Sequence, residues 1–341
     1  MIRKTPKALI TGITGMVGSH LADFLLKEVD WEIWGMYRWR SPLENIGHLI
    51  PLINAENRVN LCYGDLKDTL SIRQVVKETR PDYVFHLAAQ SYPKTSFDSP
   101  LDTLDTNIQG TVRLLDAIKD YSPNAIVHIC ASSEVFGRVS KDKLPIKEDC
   151  TFHPASPYAI SKVGTDLIGR YYAESYGLNV MTTRMFTHTG PRRGDVFAES
   201  SFAKQIAILE NDNNPCPEVK VGNLNSLRTI ADVRDAVRAY YMLVTINPKP
   251  GEYYNIGGNH SLKVGEILND LIALSTRKDE IKIVTDKNRL RPIDADLQVP
   301  DTSKFFNHTG WQPKIPYKQT IKDLLNYWRS NIHENKNRLI R

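Results

Sequence analysis

The sequence predicts an α/β protein: a doubly wound parallel sheet followed by a smaller C-terminal domain. Three observations carry this expectation. Short apolar runs alternate with helix-period segments through residue 186. A glycine-rich turn stands directly after the first run, and the alternation loosens after Thr187. Strands alternating with helices at this spacing imply right-handed crossovers and a parallel sheet covered on both faces.

The elements follow in order. Residues 7–11 read as a buried strand, then a helix carries Val17, Leu21, Phe24 and Leu25 on one face. Residues 32–37, 59–63 and 83–88 give the second to fourth strands, and a helix over about 106–118 backs the fourth. Residues 125–131 form a fifth strand, 158–176 a long helix and 180–186 a sixth strand. Beyond Thr187 come a Gly/Pro/Arg loop, a helix over 202–209, a polar turn cluster at 211–217 and an amphipathic helix near 319–331. The expected division is a nucleotide-binding domain over 1–186, with a return of the chain around 227–258. Residues 187–226 and 259–341 then make the smaller, substrate-binding domain.

The 341 residues carry 44 Lys+Arg against 39 Asp+Glu, a net charge of +5. That excess suits an anionic small molecule and is far from the dense basic surface of a nucleic-acid binder. No run approaches the roughly 18 apolar residues of a membrane helix, and the N-terminal run 8–10 is too short for a signal-peptide core. Cys62, Cys130, Cys150 and Cys216 are dispersed, with no C-x-x-C and no zinc-type His pairing. They read as free thiols in a reducing cytoplasm, and no metal is expected.

Thr11-Gly12-Ile13-Thr14-Gly15-Met16-Val17-Gly18 is a G-x-x-G-x-x-G turn between a strand and a helix. Gly12 serves the tight turn, Gly15 the approach of a pyrophosphate and Gly18 the packing of helix on strand. The amides near Met16 and Val17, with the helix dipole, would hold phosphates. The turn therefore points to a dinucleotide on a Rossmann-type sheet. At the end of the second strand stand Arg38 and Arg40, with no acid until Glu44. An arginine suits a 2′-phosphate, so NADP is expected ahead of NAD. Asp65 and Leu66 would flank the adenine, and Leu87, Ala88 and Ala89 are small or apolar where backbone must approach the cofactor.

Two features carry chemistry. Ser132-Ser133-Glu134 ends the fifth strand, and Tyr158 stands four residues before Lys162 at the start of the long helix. Residues four apart share a helix face. A lysine beside the phenol is expected to lower its pKa, so that Tyr158 exchanges a proton with a substrate hydroxyl or carbonyl. Lys162 would also hold the nicotinamide ribose, and Ser132 would bond the same substrate oxygen.

With these motifs the chain resembles the extended short-chain dehydrogenase/reductase family over essentially its whole length. The likeness is to the GDP-mannose 4,6-dehydratase branch, including relatives that dehydrate GDP-mannoheptose. It rests on TGITGMVGSHLADFLL (11–26), YGDLKD (63–68), HLAAQSYPKTSFDSP (86–100), SSEVFG (132–137), SPYAISK (156–162), GPRRGDVF (190–197), VGNLNSLR (221–228) and RLRPIDAD (289–296). The resemblance implies a cycle in which Tyr158 takes the C4 hydroxyl proton as hydride leaves C4. Glu134 then removes the C5 proton and helps water leave from C6, and the hydride returns to C6. It further implies GDP-sugar contacts from Ser91, Lys94, Ser133, Thr187, Arg192, Lys204, Val221, Arg228 and Arg291. Arginine pairs bidentately with phosphate. It also implies a homodimer or homotetramer, with the loops at 38–41 and 192–193 as subunit contacts.

One position departs from the family pattern. Relatives carry Asn after the sixth strand where this chain has Thr187, which leaves room for a bulkier sugar. The second half also resembles reductases of 4-keto-6-deoxy-mannose, so a reductase or epimerase of a 4-keto GDP-sugar is the alternative. A non-catalytic dinucleotide sensor would not need Ser132, Tyr158 and Lys162 together.

Overall fold

The computed structural model describes residues 5–53, 58–212, 214–290 and 295–338. The strands are β1 (Lys7–Thr11), β2 (Glu32–Tyr37), β3 (Val59–Tyr63), β4 (Tyr83–His86), β5 (Ile126–Cys130), β6 (Asn179–Met185), β7 (His188–Thr189), β8 (Glu218–Val221), β9 (Leu227–Asp232), β10 (Tyr253–Ile256), β11 (His260–Lys263), β12 (Lys282–Thr285) and β13 (Leu297–Gln298). The principal helices are α1 (Met16–Glu28), α2 (Thr69–Thr79), α3 (Gly110–Tyr121), α4 (Pro157–Tyr176), α5 (Ala198–Glu210), α6 (Val233–Thr245), α7 (Val264–Ala273) and α8 (Tyr317–Arg338).

Seven strands form one parallel sheet in the order β10-β6-β5-β4-β1-β2-β3. Both faces are covered, which is why β1 reads as an unbroken apolar run. Ala8 and Ile10 pack on one face with Leu21, Leu25, Val237 and Leu243 of α1 and α6. Leu9, Val84 and Val127 pack on the other with Val75, Leu114, Leu115 and Tyr172 of α2, α3 and α4. Each Leu, Ile or Val side chain among these contributes about 1.5–3 kcal/mol by leaving water. The strand order reverses between β1 and β4, and the crevice beyond their carboxyl ends is where ligands of such sheets bind.

The second layer is built on β9, which lies between β11 and β13, with β7 also at its side. A core of Phe202, Ile206, Val219, Ile230, Leu268 and Leu324 joins it to α5, α7 and α8. The chain rejoins the large sheet through α6 and β10, whose Tyr253 pairs with Thr182. β9 itself stays with the second sheet.

Several boundaries differ from the sequence pattern. β4 stops at His86 because the next two amides turn away to bond the Thr11 hydroxyl. The helix expected from 106 begins earlier, at Pro100, and passes through a π-helical turn at Asp105–Gln109 before α3. The four cysteines are free. Among the described residues no helix is long and apolar enough to cross a membrane, and no cluster of His, Cys, Asp and Glu could hold a metal.

Candidate active site

The glycine turn has a different constraint at each glycine. Gly12 has φ +74°, its N–H donates to the Met36 carbonyl at 2.9 Å, and a Cβ there would lie 3.0 Å from the Ala88 backbone. A Cβ at Gly18 would lie 2.4 Å from the Gly12 oxygen and 2.7 Å from Ile13 Cα, so α1 packs too closely on the turn for any side chain. Gly15, the N-cap of α1, would meet only the Gly12 oxygen, at 3.3 Å, leaving its outer side open. Met16 is buried in the first turn of α1 and Val17 is half-buried. Together these leave an apolar-backed cradle of amides that fits a pyrophosphate.

Around it, Ala88 and Ala89 are half-buried opposite Gly12, and Leu87 packs against the core below. Asp65 and Leu66 follow β3, with Leu66 buried where a Cβ on Gly110 would touch it at 2.7 Å. Arg38 is exposed at the end of β2, beside an exposed Trp39 on which Arg40 stacks at 4.5 Å.

The catalytic candidates converge at the carboxyl end of β5. Ser132 caps the short helical turn Ser133–Phe136, accepting from the Glu134 amide at 3.2 Å, and this holds Glu134 beside the strand end. Ser156 caps α4 by accepting from the Ala159 amide at 3.0 Å, and Pro157 sets its first turn. Tyr158 and Lys162 are both buried on α4. Ser132 lies near enough to the Tyr158 phenol to lower its pKa, and Lys162 Nζ donates to the Cys130 carbonyl at 2.7 Å.

The electrostatics correct one expectation. The Tyr158 phenol lies well above its ordinary pKa, chiefly through burial, with Glu134 adding to the rise while Ser132 and Arg193 oppose it. Burial likewise lowers Lys162. Lys162 donates one of its N–H groups to the Cys130 carbonyl, and Arg193 is a cation that lowers the pKa of the phenol.

The Gly190–Gly194 loop corrects a second expectation. Arg192 takes φ +68°, and its guanidinium bonds Asp23 of α1 at 2.7 Å. Next to it, His20 Nε2 donates to the Pro191 carbonyl at 3.0 Å, its pKa held down to about 4 chiefly by burial. Arg192 therefore ties the loop to α1. Arg193 turns the other way, stacking 3.4 Å from the Phe197 ring and pairing with Glu199 at 3.3 Å. Arg193, which the sequence pairs with Arg192 as a diphosphate or subunit contact, is the arginine whose charge lowers the pKa of the Tyr158 phenol. Two adjacent arginines look alike in sequence, and their tertiary partners, Asp23 for the first and Glu199 with Phe197 for the second, separate them.

Val221 is fully buried at the end of β8, inside the core of the second layer, so its side chain packs and does not face the crevice. Lys204 pairs with Asp195 at 2.6 Å, and Lys94 reaches the Asn288 carbonyl at 2.7 Å. Ser91 is exposed and Ser133 buried. Thr187 is half-buried between β6 and β7, its carbonyl accepting from Ala231 at 3.0 Å. Arg228 is half-buried and donates to the Ala295 carbonyl at 2.7 Å. Arg291 lies outside the described residues. Sequence reasoning also missed Asn107, buried in the π-helical turn, which bonds Gln90 and Ser161. A polar residue inside a helix-period segment was the one available signal.

The chain is similar to known proteins over nearly all its length. The family model described as GDP-mannose 4,6 dehydratase matches residues 9–324. A GDP-mannose 4,6-dehydratase of Yersinia enterocolitica is 31% identical, the match covering 94% of this chain and 92% of that protein. A GDP-6-deoxy-D-mannose reductase of Pseudomonas aeruginosa is 29% identical, covering 97% of this chain and 99% of that protein. The solved structure of RMD from Pseudomonas aeruginosa complexed with NADPH superposes with a TM-score of 0.79 at 28% identity, covering 96% of this chain and 100% of that one. With the seven-stranded parallel sheet, its glycine turn and the Ser132, Tyr158 and Lys162 cluster, these likenesses make the chain a member of the GDP-mannose 4,6-dehydratase family.

Proposed function

We propose that the protein is an NADP-dependent GDP-sugar 4,6-dehydratase acting on GDP-mannose or GDP-D-glycero-D-manno-heptose. The observation that carries the reading is Glu134. It is held by the Ser132 cap at the end of β5, close enough to raise the Tyr158 phenol. A carboxylate beside a Ser-Tyr pair supplies the base that elimination needs, although some reductases of 4-keto-6-deoxy-mannose also carry an acid near this position.

The residues fit a nicotinamide dinucleotide. Gly12, Gly15 and Gly18 form the phosphate cradle, with Met16 and Val17 at the helix start. Asp65, Leu66, Leu87, Ala88 and Ala89 line the way, and exposed Arg38 is free in sequence context to meet a 2′-phosphate. The bound cofactor supplies hydride acceptance from C4 and hydride return to C6. Tyr158 takes the C4 hydroxyl proton, while Ser132 bonds the same oxygen. Because burial opposes the phenolate, the positive charge of Arg193 supports that transfer. Glu134 removes the C5 proton, made acidic by the C4 ketone, and donates a proton to the departing C6 hydroxyl. Lys162, whose ammonium keeps N–H donors beyond the one on the Cys130 carbonyl, would hold the nicotinamide ribose. Ser91, Lys94, Ser133, Lys204, Arg228 and Arg291 remain candidates for the GDP-sugar, and Thr187 leaves room for a longer sugar. Exposed Leu101, Ile160, Leu167 and Tyr171 support self-association as a homodimer or homotetramer.

The test incubates the purified protein with each GDP-sugar and no added reductant. A product lighter by about 18 Da, the mass of one water, with no net change in NADPH is expected from the hydro-lyase chemistry. The full-length likeness to a reductase favours the second reading, reduction of a 4-keto GDP-sugar. Stoichiometric NADPH consumption with that substrate, and none of the dehydration, would replace the first reading by the second.

A further inference from the structure

A chain of hydrogen bonds runs from the glycine turn to the catalytic helix, and valence alone sets its donor directions. Thr11 pairs with His86 across β1 and β4. Its Oγ1 accepts the backbone N–H groups of Leu87 and Ala88, each at 3.0 Å. Those two bonds occupy both lone pairs, so its one proton points at His86 Nδ1, 3.0 Å away. The ring proton then sits on Nε2, which donates to Thr111 Oγ1 at 3.0 Å. Thr111 donates to the Asn107 carbonyl at 2.6 Å.

Asn107 extends the chain. Its side chain accepts from the Gln90 amide at 2.8 Å, and donates to the Gln90 carbonyl at 2.9 Å and to Ser161 Oγ at 2.8 Å. Ser161 in turn donates to the carbonyl of Tyr158 at 2.7 Å. Thr11, His86, Thr111, Asn107 and Ser161 are all buried, so no water competes for these bonds. A protonated His86 would aim three donors at the two lone pairs of Thr11 and orphan the Thr11 proton. Burial acts in the same direction, holding the imidazole down to about 3 with Lys162 contributing.

We infer that His86 is a positioning residue: locked as the neutral Nε2–H form between Thr11 and Thr111, it makes the placement of α4 at Tyr158 depend on the placement of the cofactor turn at Gly12 and Ala88. This rests on the cofactor and catalytic roles proposed above. The Ala88 backbone lies 3.0 Å from where a Cβ on Gly12 would stand, so the glycine turn and the Leu87–Ala88 segment are packed closely on each other. The bonded chain carries that position to the helix that presents the phenol.

The experiment cuts the chain at two places and reads two quantities. NADPH affinity is followed by fluorescence titration, and kcat and KM are measured with GDP-mannose or the heptose analogue. Thr111→Val removes the downstream hydroxyl and keeps the shape. It should lower kcat about tenfold while KM and NADPH affinity stay within about twofold, and Thr111→Ser should restore kcat. His86→Phe cuts the chain beside the turn and should weaken NADPH about tenfold as well as lowering kcat. Wild-type kcat in folded Thr111→Val, failure of Thr111→Ser to rescue, or wild-type NADPH affinity in folded His86→Phe would each overturn the inference. If the wild-type protein dehydrates neither sugar, the dehydratase reading fails separately. The linkage is then judged by whether His86→Phe, and not Thr111→Val, loses NADPH affinity.

Discussion

The guanidinium of Arg192 lies 2.7 Å from the carboxylate of Asp23, while the next residue, Arg193, pairs with Glu199 at 3.3 Å and its charge lowers the pKa of the Tyr158 phenol. One arginine fastens the loop and the other charges the site. Arg193→Ala is expected to lower kcat by more than about tenfold, because it removes the cation that opposes the rise of the phenol. Arg192→Ala is expected to cost about 1 kcal/mol of stability, as for a partly exposed ion pair, and to spare kcat. Steady-state kinetics with urea unfolding of both variants checks the pair, and the reverse ranking in kcat would refute it.

Glu134→Gln keeps the size of the side chain and removes its base. Hydride transfer from C4 is expected to proceed, giving a transient rise at the NADPH absorbance band, while dehydrated product falls by more than about a hundredfold. Rapid-mixing spectroscopy with mass analysis follows both. Normal turnover would take Glu134 out of the mechanism.

Gly18→Ala should be the most damaging substitution in the turn. Its Cβ would sit 2.4 Å from the Gly12 oxygen, which no rotamer change relieves. Overpacking of this kind costs about 1–3 kcal/mol and should also abolish cofactor binding by shifting the amides of α1. Gly15→Ala meets one atom at 3.3 Å and should fold normally. Thermal unfolding and NADPH titration of the two variants distinguish them.

Arg38→Asp tests the cofactor choice. An acid at the end of β2 repels a 2′-phosphate and suits a ribose hydroxyl. The ratio of NADPH to NADH affinity is expected to fall by more than about tenfold. An unchanged ratio would remove Arg38 from recognition.

Acid should destabilise the fold through its buried imidazoles. His86 and His128 are each pushed down to about 3 by burial, below the ordinary value of 6.5. Their folded pKa lies below the unfolded one, so the unfolded chain takes up protons that the folded one refuses. Their full contribution is present above about pH 6.5 and is lost progressively as the pH falls from there toward 3. The loss approaches about 1.4 kcal/mol per pH unit for each ring. Urea midpoints at pH 7.5, 6 and 5 measure it, and His128→Phe should show a shallower decline. A flat midpoint across that range would contradict the assignment.

Much of this was legible in the chain. The strand at Lys7–Thr11 and the glycine spacing after it depend on neighbours a few residues away, and so they showed in the pattern. The same holds for Ser132, Tyr158 and Lys162, whose positions follow from a strand end and a helix start. The end of β4 was misjudged because Leu87 and Ala88 answer to Thr11, far off in sequence. Val221 looked available because a short polar-flanked strand gives no sign of the core that closes over it.

The sequence by itself determined the sheet, the glycine turn and the placing of Ser132 at a strand end and of Tyr158 and Lys162 at a helix start, because apolar periodicity and turn chemistry act locally. The tertiary structure decided which of two arginines pairs with Asp23 and which with Glu199, which way the phenol is shifted, and how His86 lies between the glycine turn and α3. These depend on burial and on ion pairs and hydrogen bonds between residues brought together only when the sheet closes. None of these is written in the order of neighbours along the chain.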